Sequence, residues 1–233
     1  MSEAPGQAQP PRRRGCFITL EGGEGSGKTT QMGHILENLR QARIEVVATR
    51  EPGGSPGAEI LRRVLLSGAV KSLGPAAEAI LFSAARIDHI DKTIAPALAA
   101  GLFVVSDRFS DSTRAYQGAL GRVDPAFLRA LERVTLDGLH PDLTLILDLS
   151  PEEGRARAER RRGTEEGLDR FEREDIRFHQ SVRAAFLAIA AADSHRCVVI
   201  DASLSEAEVA QAIWDAIFGR LIARPEPARA HGA

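Results

Sequence analysis

The chain has 233 residues, 43% of them apolar, so it can bury a core and is not disordered throughout. Its 30 basic and 32 acidic residues give a formal net charge of -2, which argues against non-specific nucleic-acid binding. Two distant cysteines, Cys16 and Cys197, exclude a disulfide framework, and no apolar run is long enough to span a membrane.

Both ends of the chain are polar, rich in proline or charge, and without periodicity. We therefore predict disordered tails at 1–14 and 221–233, with a single domain over 15–220. The first tail ends in three arginines that no apolar segment follows, which argues against a signal peptide. The sequence thus predicts a soluble, cytoplasmic, globular protein with no membrane partner.

Short apolar runs that are typical of buried strands alternate with helical patterns along this domain. The predicted strands are 16–20, 45–49, 102–106, 143–148 and 197–200. The predicted helices are 27–43, 57–67, 75–100 with a kink at Pro96, 125–137, 151–161, 172–192, and a last one that begins at Ser205 in a capping box with Glu208. This alternation predicts an α/β fold, a five-stranded parallel sheet with helices on both faces, whose ligands bind beyond the carboxyl ends of the strands.

The segment after the first predicted strand matches the phosphate-binding pattern G-x-x-x-x-G-K-[ST]. Its residues are Gly22, Gly23, Glu24, Gly25, Ser26, Gly27, Lys28 and Thr29. The glycines let backbone N–H groups surround a phosphate, and the positive end of the following helix faces the anion. Lys28 adds a charge for the β- and γ-phosphates, and the Thr29 hydroxyl is expected to ligate Mg²⁺. We assign ATP binding to this loop and to Thr30; the alternative is a glycine-rich turn that binds nothing.

Three further charged residues lie at the ends of predicted strands. Arg50 follows the second strand, and Asp107 and Arg108 follow the third. Asp107 could bind Mg²⁺ or a bridging water, and Arg108 could hold a phosphate through two hydrogen bonds; the alternative is a salt bridge between them.

Phe82 and Arg86 are four residues apart and share one helical face. They could stack on a nucleobase and hydrogen-bond to it. The alternative is a core phenylalanine beside a surface arginine.

The segment at about 150–172 is rich in arginine, with acidic residues and glycines between. It reads either as a solvated pair of charged helices or as a mobile lid whose arginines close over the triphosphate.

Six stretches, in order and over nearly the whole ordered chain, resemble the thymidylate kinase family of P-loop nucleoside monophosphate kinases. They are FITLEGGEGSGKTT (17–30), TREPGGSPGAE (49–59), ILFSAARIDH (80–89), VVSDRFSDSTRAYQG (104–118), PDLTLILDLSPEEGRARAERR (141–161) and LDRFE (168–172). The resemblance implies phosphoryl transfer from ATP to dTMP, with Mg²⁺ as cofactor, and a homodimer. A kinase for another nucleotide or small molecule on the same fold is the alternative, and a nucleotide-dependent switch is disfavoured because the sequence has no N-K-x-D segment.

The resemblance also implies individual roles. Phe82 would stack on thymine, Arg86 would bind the base, and Thr113 would lie near the pyrimidine edge. Tyr116 would lie under the sugar and Glu24 near its 3′-hydroxyl, while Arg50 and Arg108 would hold the monophosphate. No arginine lies within the phosphate loop, which fits the bacterial subclass that supplies one from the lid; we take Arg155 and Arg160 as candidates. Lys28, Asp107 and Arg108 complete the predicted catalytic set.

Overall fold

One sheet of five strands organises the molecule, and every strand pairing in it is parallel. The strands are β1 (Phe17–Gly22), β2 (Val46–Arg50), β3 (Phe103–Asp107), β4 (Leu143–Asp148) and β5 (Cys197–Asp201), in spatial order β2-β3-β1-β4-β5. The computed structural model describes residues 14–118, 123–161, 171 and 174–223, leaving aside the side chain of Arg161. Within these residues the predicted sheet is confirmed.

Helices follow the strands in alternation. They are α1 (Lys28–Gln41), α2 (Pro56–Leu66), α3 (Gly74–His89), α4 (Ala95–Ala99), α5 (Ser110–Tyr116), α6 (Pro125–Leu136), α7 (Pro151–Arg161), α8 (Ile176–Ala192) and α9 (Glu206–Ile217). The predicted capping box is present at α9, where Ser205 and Glu208 bond each other's backbone N–H groups. Local sequence therefore sets several of these helix starts directly.

The core lies on both faces of the sheet, as the strand composition predicts. Ile18 and Leu20 of β1 pack on one face with α1 and α9, in a cluster that includes Ile35 and Val209. Phe17, which points to the other face, packs with the segment around α4. Because successive side chains of a strand alternate, a strand that is apolar throughout needs a helical layer on each side.

The long helix predicted over 75–100 is interrupted before Pro96 rather than bent at it. Helix α3 ends at His89, a single π-helical turn spans Ile90–Ile94, and α4 then carries Pro96 in its first turn. Proline has no N–H to donate to the carbonyl four residues earlier, and its ring crowds that carbonyl. The wider π turn accommodates both effects upstream of the proline.

Helix α5 was not predicted from the sequence. Its residues have modest helical propensity and cover fewer than two turns. It is fixed by distant contacts: Glu21 accepts hydrogen bonds from the Phe109 N–H (2.8 Å) and the Ser112 hydroxyl (2.6 Å). Those contacts come from β1, almost ninety residues away, so no local pattern could reveal them.

The predicted boundaries of the domain differ from the described structure by a few residues. A π turn at Phe218–Ile222 continues α9, and Leu221 and Ile222 pack against the core, so they do not belong to the predicted tail at 221–233. Arg14, assigned to the first tail, lies 3.9 Å from Asp142. The remaining tail residues, 1–13 and 224–233, lie outside the described residues.

None of the helices in the described ranges is by itself long and apolar enough to cross a membrane. One bent pair, Pro56–Leu66 with Lys71–Ala99, meets the length and composition test jointly across an 81° bend.

Candidate active site

The phosphate loop links β1 to α1 and places Lys28 over its own backbone. The Lys28 ammonium group donates to the carbonyl oxygens of Gly22 (3.1 Å) and Gly23 (2.8 Å). Gly25 and Gly27 have φ angles of 67° and 91°, which only glycine adopts without strain. These angles turn the chain around an open concavity at the helix N-terminus, which is the geometry expected for a phosphate site.

Burial and, after it, the neighbouring Arg108 guanidinium together lower the pKa of Lys28 to about 7. A bound polyphosphate would restore the charged form, because an anion in contact favours it. Above pH 7, binding of a polyphosphate at this loop would therefore bring a proton onto this amine.

We expect ATP binding at pH 8 to take up on the order of one proton and to weaken as the pH rises above 7. Calorimetry in two buffers of different ionisation enthalpy measures this uptake. In Lys28→Ala the difference between the two buffers should disappear; an unchanged proton uptake in that variant would place the titrating group elsewhere.

Asp107 and Arg108 lie at the carboxyl end of β3, beside this loop. Arg108 has a φ of 71° and donates through Nη1 to the Gly22 carbonyl (3.1 Å) and the Ser112 hydroxyl (3.2 Å). Its guanidinium carbon lies 5.0 Å from the centre of the Tyr116 ring. Asp107 Oδ1 is buried and has no hydrogen-bond partner among the described residues. These contacts favour ligand-facing roles over a mutual salt bridge.

Glu21, which the sequence reasoning missed, lies buried beneath this arrangement. Burial and, after it, the Asp111 carboxylate together raise the pKa of Glu21 to about 7. Through its bonds to Phe109 and Ser112 it fixes the loop that carries Arg108. Glu21 lies one residue before the first glycine of the phosphate-binding pattern, so the pattern does not single it out.

A cavity on the other side of Arg108 contains all seven residues predicted to bind the substrate. It is lined by Glu24, Arg50, Phe82, Arg86, Arg108, Thr113 and Tyr116. Phe82 is half-buried, and its ring centre lies 6.2 Å from that of Phe171. Arg86 is only 4% exposed, so the alternative of a surface arginine is wrong. Arg50 is the outermost member, 55% exposed and paired with Glu59 at 3.1 Å.

A second cavity runs along the phosphate loop and adjoins the first. It is lined by residues 24–31, by Asp107 and Arg108, and by Arg157, Ala202 and Glu206 farther along the chain. Glu24, Asp107 and Arg108 line both cavities. We call them the donor cavity, along the loop, and the acceptor cavity, beyond Arg108.

Of the arginines on α7, Arg157 lines the donor cavity, whereas Arg155 and Arg160 line neither cavity as the described residues form them. Arg157 donates to the Ala202 carbonyl (2.9 Å) and to Glu153 (2.6 Å). Arg155 lies 3.9 Å from Glu159, and Arg160 donates to the Ala156 carbonyl in its own helix. Residues 162–170 and 172, which complete the predicted lid, lie outside the described residues.

The feature that distinguishes Arg157 is a contact between α7 and the phosphate loop. Gly154 packs so closely on the phosphate loop that a Cβ there would lie 2.3 Å from the Glu24 carbonyl oxygen. Arg157 is three residues farther along the helix and so shares the face that meets the loop. The contact between Gly154 and the loop is a tertiary one, so the sequence alone did not single out this arginine.

Besides Asp107, two further residues that line these cavities carry a buried polar atom without a hydrogen-bond partner in the described part of the chain. His179 Nε2 belongs to a residue that lines the acceptor cavity, and Gln31 Oε1 to one that lines the donor cavity. Burial lowers the pKa of His179, and the Arg155 charge adds to the shift, so a neutral imidazole is favoured. Neither residue was predicted as part of the site.

The sequence is similar to one family of known proteins. A family model described as Thymidylate kinase matches residues 20–213. A protein of Nitrobacter hamburgensis named Thymidylate kinase is 56% identical over 209 residues, covering 90% of each chain. Proteins with the same name from Bradyrhizobium diazoefficiens and Afipia carboxidovorans are 53% and 54% identical, covering 91% and 93% of this chain and 92% and 94% of their own.

Proposed function

We propose that this chain, which belongs to the thymidylate kinase family, transfers the γ-phosphoryl group of ATP to dTMP and so forms dTDP and ADP. The observation that carries the proposal is the meeting of two cavities at Glu24, Asp107 and Arg108. One cavity has the phosphate loop, and the other has an aromatic ring and arginines suited to a small nucleotide. Their junction is where a donor phosphate and an acceptor phosphate would meet.

The physical problem in this reaction is to bring two polyanions together. The acceptor phosphate is already ionised near neutral pH, so no strong general base is needed, and the transition state spreads its charge over the transferred group. Lys28 and the loop N–H groups would hold the donor, while Arg108 would contact the group in transfer. Fixed positive groups of this kind act through electrostatic stabilisation.

The acceptor would lie with its base against Phe82 and Arg86 and its phosphate toward Arg50 and Arg108. Thr113 and Tyr116 of α5 would contact the base edge and the sugar. Support for this orientation comes from burial: the Arg86 end of the cavity is enclosed, whereas Arg50 is exposed at its mouth.

Mg²⁺ is part of the proposal because oxygen ligands of the required kind line the donor cavity. Thr29 has an exposed side chain there, and Asp107 Oδ1 is buried without a partner among the described residues. Mg²⁺ in such sites takes one or two protein ligands and completes its shell with water and phosphate. The bound ion would neutralise charge on the β- and γ-phosphates.

An arginine from the lid completes the proposed charge stabilisation. Arg155 and Arg160 stay candidates from the resemblance, and the contacts of Arg157 add a third on the same helix. Of the three, Arg157 has the strongest geometric support for contact with the donor nucleotide, because it lines the donor cavity.

The direct test is ADP release from Mg²⁺ and ATP with a panel of acceptors: dTMP, dUMP, ribothymidine monophosphate, dCMP and dGMP. We expect dTMP to give the highest kcat/KM. A higher value for dCMP or dGMP would reject the assignment in favour of another nucleotide kinase on the same fold.

We also propose a homodimer, formed through three neighbouring helices. Exposed apolar side chains recur at helical spacing on α2, on and just before α3, and on α6, which pack side by side. They are Ile60, Val64, Leu73, Ile80, Ile87, Phe127 and Val134. Exposed apolar side chains grouped on neighbouring helices are typical of an interface between copies of one chain. The cytoplasmic location predicted from the sequence stays part of the proposal.

Ile80→Glu is expected to convert a dimer to a monomer, because it places a charge at the centre of this face. Light scattering coupled to size exclusion measures the mass. Val199→Glu, which introduces the same charge at a similarly exposed apolar position on β5, is the matched control and should leave the mass unchanged. A wild-type chain that is monomeric at micromolar concentration would contradict the proposal.

A further inference from the structure

A chain of hydrogen bonds between side chains, three of them buried, runs from the end of β2 to the acceptor cavity. The Thr49 hydroxyl lies 2.6 Å from His89 Nε2, and His89 Nδ1 lies 3.0 Å from Glu51 Oε1. The other oxygen of Glu51 accepts from Arg86 Nε at 2.7 Å. Glu51, Arg86 and His89 are 7%, 4% and 0% exposed, so water competes little for these bonds.

Arg86 uses three of its five N–H donors within the protein. Nε bonds to Glu51, and Nη2 bonds to the Phe109 carbonyl (3.2 Å) and the Thr113 hydroxyl (3.1 Å). Among the described residues Nη1 has no hydrogen-bond partner, and Arg86 lines the acceptor cavity. The two N–H groups of Nη1 are therefore what Arg86 offers to a ligand, in a direction that the other three bonds fix.

The chemistry of the chain sets the tautomer of His89. A carboxylate can only accept, so Nδ1 carries the proton toward Glu51 and Nε2 accepts from the Thr49 hydroxyl. Gly54 makes room for this pair, because a Cβ there would lie 2.3 Å from Thr49 Oγ1 and 2.4 Å from His89 Nε2. Each oxygen of Glu51 is thus held by one donor, and the carboxylate cannot rotate away from Arg86.

We propose that Glu51 and His89 are positioning residues that aim the Arg86 Nη1 donors at the base of the acceptor nucleotide. Donors held in this way favour a base edge that presents a carbonyl oxygen, as thymine does, over one that presents an amino group, as cytosine does. This inference rests on the proposed function for the identity of the nucleotide. The new element is that base discrimination depends on His89, which does not line the acceptor cavity formed by the described residues.

The two amide replacements of His89 separate this role from simple packing. His89→Asn keeps a donor where Nδ1 lies and so preserves the hydrogen bond to Glu51. His89→Gln keeps a polar atom only where Nε2 lies, so the hydrogen bond to Glu51 is lost. We expect His89→Gln to raise the KM for dTMP about tenfold and to lower the preference for dTMP over dCMP by a similar factor. The KM for ATP should stay within twofold, and His89→Asn, which loses only the outer bond to Thr49, should shift the KM for dTMP by a smaller factor than His89→Gln.

Equal effects of the two replacements, or equal rises in both KM values for His89→Gln, would overturn the inference. If His89→Gln fails to fold, Thr49→Val is the second variant: it removes the outer bond and should shift the KM for dTMP in the same direction by a smaller factor. An unchanged KM for dTMP in that variant would also count against the chain. The wild-type acceptor panel tests the proposed function separately. The rise in KM for the acceptor can be compared with that for ATP using whichever acceptor the wild type prefers.

Discussion

Replacing Lys28 by alanine is expected to lower kcat by on the order of a thousandfold while leaving the fold intact. The ammonium group is the cation that the phosphate loop itself supplies to the donor cavity, and its loss leaves charge on the β- and γ-phosphates uncompensated in the transition state. Steady-state kinetics with dTMP and ATP measure the loss, and the KM for ATP should rise as well. Near-normal turnover in purified Lys28→Ala would show that the loop does not bind the donor phosphates.

The fold of this variant should be no less stable than the wild type. Because burial lowers the pKa of Lys28 to about 7, below that of a free lysine, its charged form is disfavoured in the folded protein near neutral pH. Removing the amine therefore removes an unfavourable group, and the melting temperature should stay the same or increase. Lys92→Ala, at an exposed lysine of the π turn, is the matched control and should change neither activity nor stability.

The parts of the molecule that the sequence predicts well are those whose cause is local. The phosphate loop, the strands and the capping box at Ser205 each depend on residues within a few positions of one another, and all three are present as expected. The ends of parallel strands meet at one edge of the sheet, which is why Arg50, at the end of β2, and Arg108, just after β3, could be expected to lie near the phosphate loop.

The parts that the sequence does not predict depend on long-range contacts between side chains. Glu21 is joined to Phe109 across 88 residues, and Glu51 to Arg86 across 35. Neither glutamate belongs to a local pattern that distinguishes it from a surface carboxylate. The sequence also could not show which arginine of α7 lines the donor cavity, because that depends on how Gly154 packs against the phosphate loop.

Replacing Arg108 by alanine is expected to lower kcat for dTMP by about a thousandfold while changing the affinity for ATP only a few-fold. The guanidinium lies where the two cavities meet, so its loss affects the phosphate in transfer more than the nucleotide already held by the loop. Binding of ATP measured by calorimetry, beside steady-state kinetics with both substrates, separates the two effects. Equal losses in ATP affinity and in turnover would move Arg108 to the donor side.

The backbone of Arg108 offers a way to separate its chemistry from its structural role. Its φ of 71° costs a residue with a side chain about 1–2 kcal/mol relative to glycine. Arg108→Gly and Arg108→Ala should therefore lose transfer equally, but the glycine variant should be the more stable of the two in denaturant unfolding. Arg43, which also has a positive φ (60°) and is exposed between α1 and β2, provides the control, and Arg43→Ala should keep full activity. If the more stable of Arg108→Gly and Arg108→Ala were also the more active, Arg108 would act through the fold and not on the phosphate.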